Sequence, residues 1–215
     1  MPDTQVEQTY RSVRQRIIDG VYLPSERLVE TDLAQSLMVS RSSVRAALQR
    51  LHSEGLIVLE PHRGAKVTAL TLDEALQIME VREGLEGWAA ALAAQRISEE
   101  KLAELEAIVP TMDELLKDGR PLEYSEMNAL LHQGIVEAAN NPRLQQLIGS
   151  LKTSLVRYRF RTILVPGRSR SSFQEHSDIV AALRSRSSEV AEAAMRRHIA
   201  GVRRTMKEAR RLMEL

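Results

Sequence analysis

Along the first twenty residues Val6, Tyr10, Val13 and Ile17 recur at spacings of four, three and four, with polar residues between them. That spacing puts all four on one face of a helix, which Gly20 ends. Tyr22-Leu23-Pro24-Ser25 reads as a turn. Leu33, Ala34 and Leu37 predict a short second helix over residues 31–37, and Ser40 is placed to cap a third, in which Val44, Ala47, Leu48 and Leu51 form the inward stripe. Two short helices joined by a tight turn are the helix-turn-helix pattern. After Gly55, residues 56–60 read as a strand, 61–64 as a turn and 65–69 as the returning strand, together a wing.

From Thr71, spaced for a capping box with Glu74, the pattern is helical almost to the end. It is broken at Ile97-Ser98, Gly119-Arg120-Pro121, Asn140-Asn141-Pro142, Val165-Pro166-Gly167 and residues 185–188, which predicts about six helices. No internal repeat of fixed period is present. The expected fold class is therefore mainly α: a winged helix-turn-helix of three helices and a β-hairpin at residues 1–70, followed by an all-helical bundle at 71–215.

Composition narrows what these domains can do. A chain of 215 residues is long enough for two cores. Thirty Lys and Arg against twenty-nine Asp and Glu leave a net charge of +1, so affinity for nucleic acid has to come from a local patch. The absence of cysteine excludes disulfides, thiolate metal sites and cysteine nucleophiles, leaving His, Asp, Glu and Asn as ligand types. Residues 1–20 carry no apolar signal-peptide core and no later segment approaches membrane-spanning length, so a cytoplasmic protein without a membrane partner is expected. Aromatics at 3% are too few for base-stacking platforms.

With the third helix's stripe turned inward, Arg41, Ser42, Arg45 and Gln49 face outward. Arginine's planar fork can engage both acceptors on the major-groove edge of guanine, while Ser42 and the helix N-terminus suit phosphate. From Met38 to Lys66, five basic residues stand against two acidic ones, a local excess of +3. Solvated surface charge is the alternative for each arginine. The run Leu37-Met38-Val39-Ser40-Arg41-Ser42-Ser43-Val44-Arg45-Ala46-Ala47-Leu48-Gln49-Arg50-Leu51, ending in Glu54-Gly55-Leu56-Ile57, resembles the signature of the GntR family of bacterial regulators. Pro61-His62-Arg63-Gly64-Ala65-Lys66-Val67 is similar to its wing.

That resemblance implies double-stranded operator DNA as partner, bound by a homodimer. Arg41 and Arg45 would contact bases and phosphates, and His62, Arg63 and Gly64 would bring the wing tip near the minor groove, with Gly64 allowing close backbone approach. The chain departs from the family pattern with Ser43 for the usual proline, Ala46 for glutamate and Met38 for glycine. Thr31 stands where some relatives carry a DNA-contacting arginine.

In the second half, four polar residues interrupt apolar stripes. Asn128 and His132 lie one turn apart beside Leu131, Ile135 and Ala139; His176 lies on the stripe of Phe173, Val180 and Leu183; His198 lies on that of Ala191, Met195, Val202 and Met206. An unpaired buried imidazole costs roughly 1–3 kcal/mol, so three inward histidines on three helices point to a shared partner such as a divalent metal. Backbone-bonded core histidines are the alternative. The segments Leu72-Asp73-Glu74-Ala75, Glu80-Val81-Arg82-Glu83-Gly84-Leu85-Glu86 and Ala89-Ala90 onward resemble the opening of the FadR-type ligand-binding domain (FCD), and the likeness runs to about Ala200.

The FCD resemblance implies that Asn128, His132, His176 and His198 hold a divalent ion, zinc or nickel, with Asn128 where the family also uses Asp. It further implies a small carboxylate effector at the open coordination positions. Arg82 is the candidate for a second carboxylate contact, its alternative being a salt bridge with Glu86; Arg157, Tyr158 and Arg161 are placed on a facing helix. Two other functions fit the same residues: a regulator for which the ion itself is the signal, and a metalloenzyme, against which stands the lack of a separate acid or base at helical spacing from the histidines. The expectation is a regulator, a repressor rather than an enzyme. The basic last helix, a local +5 from Arg196 onward, reads as a solvated face.

Overall fold

The structure, a computed structural model, describes residues 4–60, 64–155 and 165–213. They divide into two compact units, the first built on Met1–Thr71 and the second beginning at Leu72.

The first unit runs α1 (Gln5–Ile18), β1 (Arg27–Leu28), α2 (Glu30–Leu37), α3 (Arg41–Ser53), β2 (Ile57–Glu60) and β3 (Gly64–Val67). Thr4 caps α1 by accepting from the Glu7 N–H at 3.3 Å. Of the predicted apolar face, Val13 and Ile17 are buried and Tyr10 packs at the edge of the same core, which Leu28, Leu33, Val44, Leu48, Leu51, Leu56, Ile57, Ala65 and Val67 complete. Between α2 and α3, Met38 sits at φ +53° with its side chain 88% exposed. That left-handed conformation explains why glycine is common there: an L side chain is strained at it and gains no burial in exchange.

The sheet differs from the expected hairpin. It has three antiparallel strands in the order β1-β3-β2, with Arg27 opposite Lys66 and Ile57 opposite Val67. A two-residue strand has no periodicity to read in sequence, and β1 exists because β3 offers it a free edge. Gly64, at φ +87°, begins β3 against β1; a Cβ there would lie 2.7 Å from the Leu28 carbonyl oxygen. The backbone approach that requires glycine at this position is thus made by the protein's own chain.

The second unit contains α4 (Leu72–Arg96), α5 (Glu99–Lys117), α6 (Pro121–Ala138), α7 (Pro142–Ser154), α8 (Arg168–Arg184) and α9 (Ser188–Met213), six helices among the described residues. The predicted breaks fall between them. Ser98 caps α5 by accepting from the Lys101 N–H at 3.2 Å, Pro121 and Pro142 open α6 and α7, and Gly167 precedes α8 at φ +78°. Ala89, Ala90, Ala91, Ala93 and Ala94 are all buried, so α4 is apolar around much of its circumference. Such a helix belongs at the centre of a bundle, and α4 packs against α6, α8 and α9. Among the described residues no helix is long and apolar enough to cross a membrane.

Candidate DNA-reading surface and buried histidine site

On α3 the inward stripe of Val44, Ala47, Leu48 and Leu51 is buried, which turns Arg41, Ser42, Arg45 and Gln49 to solvent. Ser40 fixes the start of the helix: its Oγ accepts from the Ser43 N–H at 3.1 Å and lies 2.8 Å from Ser42 Oγ. Serine in place of the family's proline at position 43 supplies that N–H. Arg45 is held by a two-pronged contact, its Nε and Nη2 donating to Glu30 Oε1 and Oε2 at 3.1 and 2.8 Å. The hydrogen bonds from Arg45 hold the Glu30 carboxyl below its ordinary range. Arg50 serves the domain's own packing, donating to Glu7 at 2.6 Å and lying 3.9 Å from the Tyr10 ring centre. Thr31 is exposed on α2. Gly64 begins β3, whereas His62 and Arg63 lie outside the described residues, as do Arg157, Tyr158 and Arg161.

In the second unit α6, α8 and α9 bring His132, His176 and His198 together. All three are buried, and one nitrogen from each lies within 4.8 Å of the others. The ring centres are 5.4 Å apart for His132 and His176, 5.0 Å for His132 and His198, and 4.4 Å for His176 and His198. Asn128 lies one turn before His132, and its Oδ1 is buried with no hydrogen-bond partner. Neither ring nitrogen of His176 has a partner among the described residues, although the residue is 0% exposed.

His132 Nδ1 donates to Glu86 Oε2 at 2.9 Å, and His198 Nδ1 donates to Glu175 Oε2 at 2.8 Å. The direction follows from the acceptors, since an ionised carboxylate has no proton to give. In the neutral form of each ring Nε2 then carries a lone pair, and the two Nε2 atoms face each other at 3.1 Å. Two acceptors at that distance need a positive centre. A proton is disfavoured: burial pushes His198 below its ordinary range against the pull of Glu175, and burial followed by the neighbouring His198 and His132 pushes His176 well below it. Lone pairs that converge, with orphaned nitrogens and an orphaned amide oxygen beside them, fit a divalent cation.

The sequence did not single out the carboxylates behind the histidines or the arginine behind Glu175. Arg82 donates to Glu86 from Nε at 2.8 Å and its Nη2 lies 2.6 Å from the same carboxylate, the alternative role the sequence allowed it. Arg168 donates to both oxygens of Glu175 at 3.1 and 2.7 Å. Burial raises the Tyr124 hydroxyl, on the same helix as Asn128 and His132, to about 12; it donates to the Ser169 carbonyl at 3.3 Å. Glu86 was open to detection, because it interrupts the buried positions Met79, Ala90 and Ala93 as the histidines interrupt theirs. Arg168, in the first turn of α8, carries no such signal.

Two family models match the chain: "Bacterial regulatory proteins, gntR family" over residues 5–67 and "FCD domain" over residues 77–201. Between them they account for both units. This chain belongs to the GntR family of transcriptional regulators and carries an FCD domain. The regulator is 25% identical over 204 residues to the HTH-type transcriptional repressor RspR of Escherichia coli strain K12, covering 95% of this chain and 90% of that protein. It is 33% identical over 140 residues to the gluconate operon transcriptional repressor of Bacillus licheniformis, covering 65% of this chain and 57% of that one. Among solved structures, E. coli McbR/YncC superposes with a TM-score of 0.79 at 22% identity, covering 96% of this chain and 98% of that chain, which supports the mainly helical fold. Its relatives are transcriptional regulators, not enzymes.

Proposed function

We propose that this GntR-family regulator is a homodimeric cytoplasmic repressor that binds a pseudo-palindromic operator through α3 and the wing and leaves it when a small carboxylate binds beside a divalent ion in the helical unit. In the first unit, Arg41, Ser42, Arg45 and Gln49 form the reading surface, with Gly64 and residues 62–63 at the wing. In the second, Asn128, His132, His176 and His198 hold zinc or nickel. The observation that carries the reading is the convergence of three buried histidines, beside which both nitrogens of His176 and Oδ1 of Asn128 have no hydrogen-bond partner among the described residues.

Charge supports the effector class. Arg82 with Glu86 and Arg168 with Glu175 cancel in pairs, and imidazoles that ligate a metal are neutral. A bound divalent ion therefore leaves about two positive charges in a low-dielectric interior, where an anionic ligand is strongly favoured over a neutral one of the same size. The ion would supply Lewis acidity toward a carboxylate oxygen, while the surrounding side chains orient it and exclude water.

A ligand shifts operator affinity only by its differential affinity for two conformations, typically about 1–3 kcal/mol, and the coupling is reciprocal. Titration of zinc-loaded protein with a carboxylate that releases the operator should show weaker binding by the same factor when operator DNA is saturating. No change would sink the effector scheme. A change in operator affinity on adding zinc alone would favour the ion as the signal.

A further inference from the structure

Four charged side chains around the histidine cluster have no role as ligands in the proposed function, yet they are arranged in two matching relays. In one, Arg82 on α4 holds Glu86, which accepts from His132 Nδ1. In the other, Arg168 on α8 holds Glu175 by both prongs, and Glu175 accepts from His198 Nδ1. Glu86 is 1% exposed in its side chain, and Arg168 is buried. A buried charge is costly unless paired, and each relay pairs its buried member, Glu86 or Arg168, with a partly exposed one, Arg82 or Glu175.

We propose that Glu86 and Glu175 are positioning residues of the histidine site, each fixing the tautomer and ring orientation of one imidazole so that Nε2 is its ligand atom, and that Arg82 and Arg168 act through them. A ligand imidazole can bind from one nitrogen only when the other carries the proton, and a carboxylate at Nδ1 enforces that choice and raises the basicity of Nε2. The arginines hold both carboxylates in place. His176 lacks such a partner among the described residues, so the site has two anchored imidazoles and one whose orientation depends on the bound ion.

The packing of α9 is adapted to the second relay. A Cβ on Gly201 would lie 2.9 Å from Glu175 Oε1 and 3.2 Å from Arg168 Nη1. Glycine lets the helix backbone pass directly beside the ion pair, and any side chain there would displace it. The three atoms nearest to such a Cβ all belong to Glu175 and Arg168, the second relay.

This inference rests on the metal-site reading, and the experiment separates the two. Zinc affinity is measured by chelator competition on the full chain for wild type, Glu86→Gln, Glu175→Gln and Gly201→Ala, with histidine ring nitrogen NMR on the metal-free proteins. Wild type should show the Nδ1–H tautomer at His132 and His198. Each glutamine variant should lose about 10- to 100-fold in zinc affinity, and Gly201→Ala should shift the His198 Nδ1 signal more than that of His132. Full zinc affinity in both folded glutamine variants would overturn the proposal. If a glutamine variant fails to fold, Gly201→Ala and the wild-type spectra decide. If wild type binds no zinc, the metal reading fails by itself, and Nε2–H at either His132 or His198 would then also overturn the positioning role.

Discussion

Replacing His176 with leucine should change the sign of its effect on stability depending on whether metal is present. A neutral imidazole carries one N–H donor and one bare nitrogen; at His176 both are buried without a hydrogen-bond partner among the described residues. An imidazole left in that condition costs about 1–3 kcal/mol. Leucine, similar in size and without polar atoms, removes that penalty, so in chelator His176→Leu should be more stable than wild type by about 1–3 kcal/mol, an increase of roughly 2–12 °C in Tm for a chain of this size. With zinc at a thousand times its Kd, wild type gains about 4 kcal/mol by linkage. The variant, short of one ligand, gains much less and falls below wild type. Thermal unfolding of both proteins with chelator and with zinc tests this directly. A variant destabilised equally in the two conditions would refute the reasoning, because His176 would then be an ordinary packing residue with satisfied nitrogens.

Three further outcomes follow from the first unit. Arg45→Ala should weaken operator binding about ten- to a hundred-fold with unchanged circular dichroism, since Arg45 is exposed on α3 and its hydrogen bonds among the described residues go to Glu30; unaltered gel-shift affinity would remove it from the reading surface. Gly64→Ala combines a left-handed φ with a Cβ 2.7 Å from the Leu28 carbonyl oxygen, and should cost about 2–4 kcal/mol in urea unfolding; a loss below about 1 kcal/mol would mean that β1 yields easily. Ser40→Ala removes the acceptor for the Ser43 N–H and should cost about 1 kcal/mol, against which a neutral result would show that Ser42 or water replaces the cap.

Periodicity, caps and breakers are local properties, and they were sufficient for the helices. Val13, Ile17, Val44 and Leu51 announced their inward faces, and Ser98, Pro121, Pro142 and Gly167 marked helix ends. The three histidines were legible for the same reason, as polar residues on stripes that had to be buried. What helical spacing could not give was which atoms meet. β1 depends on an edge supplied by a strand almost forty residues later, and Gly64 on the carbonyl of Leu28. Glu175 stands next to His176 in the chain yet bonds His198 on another helix, and Arg82 is occupied by Glu86 before any ligand arrives. The sequence alone determined the order of the helices, their inward faces and the residue types gathered in the bundle, because those are set within a few turns of helix. Only the tertiary structure decided the partners, because hydrogen bonds between side chains on different helices are fixed by packing.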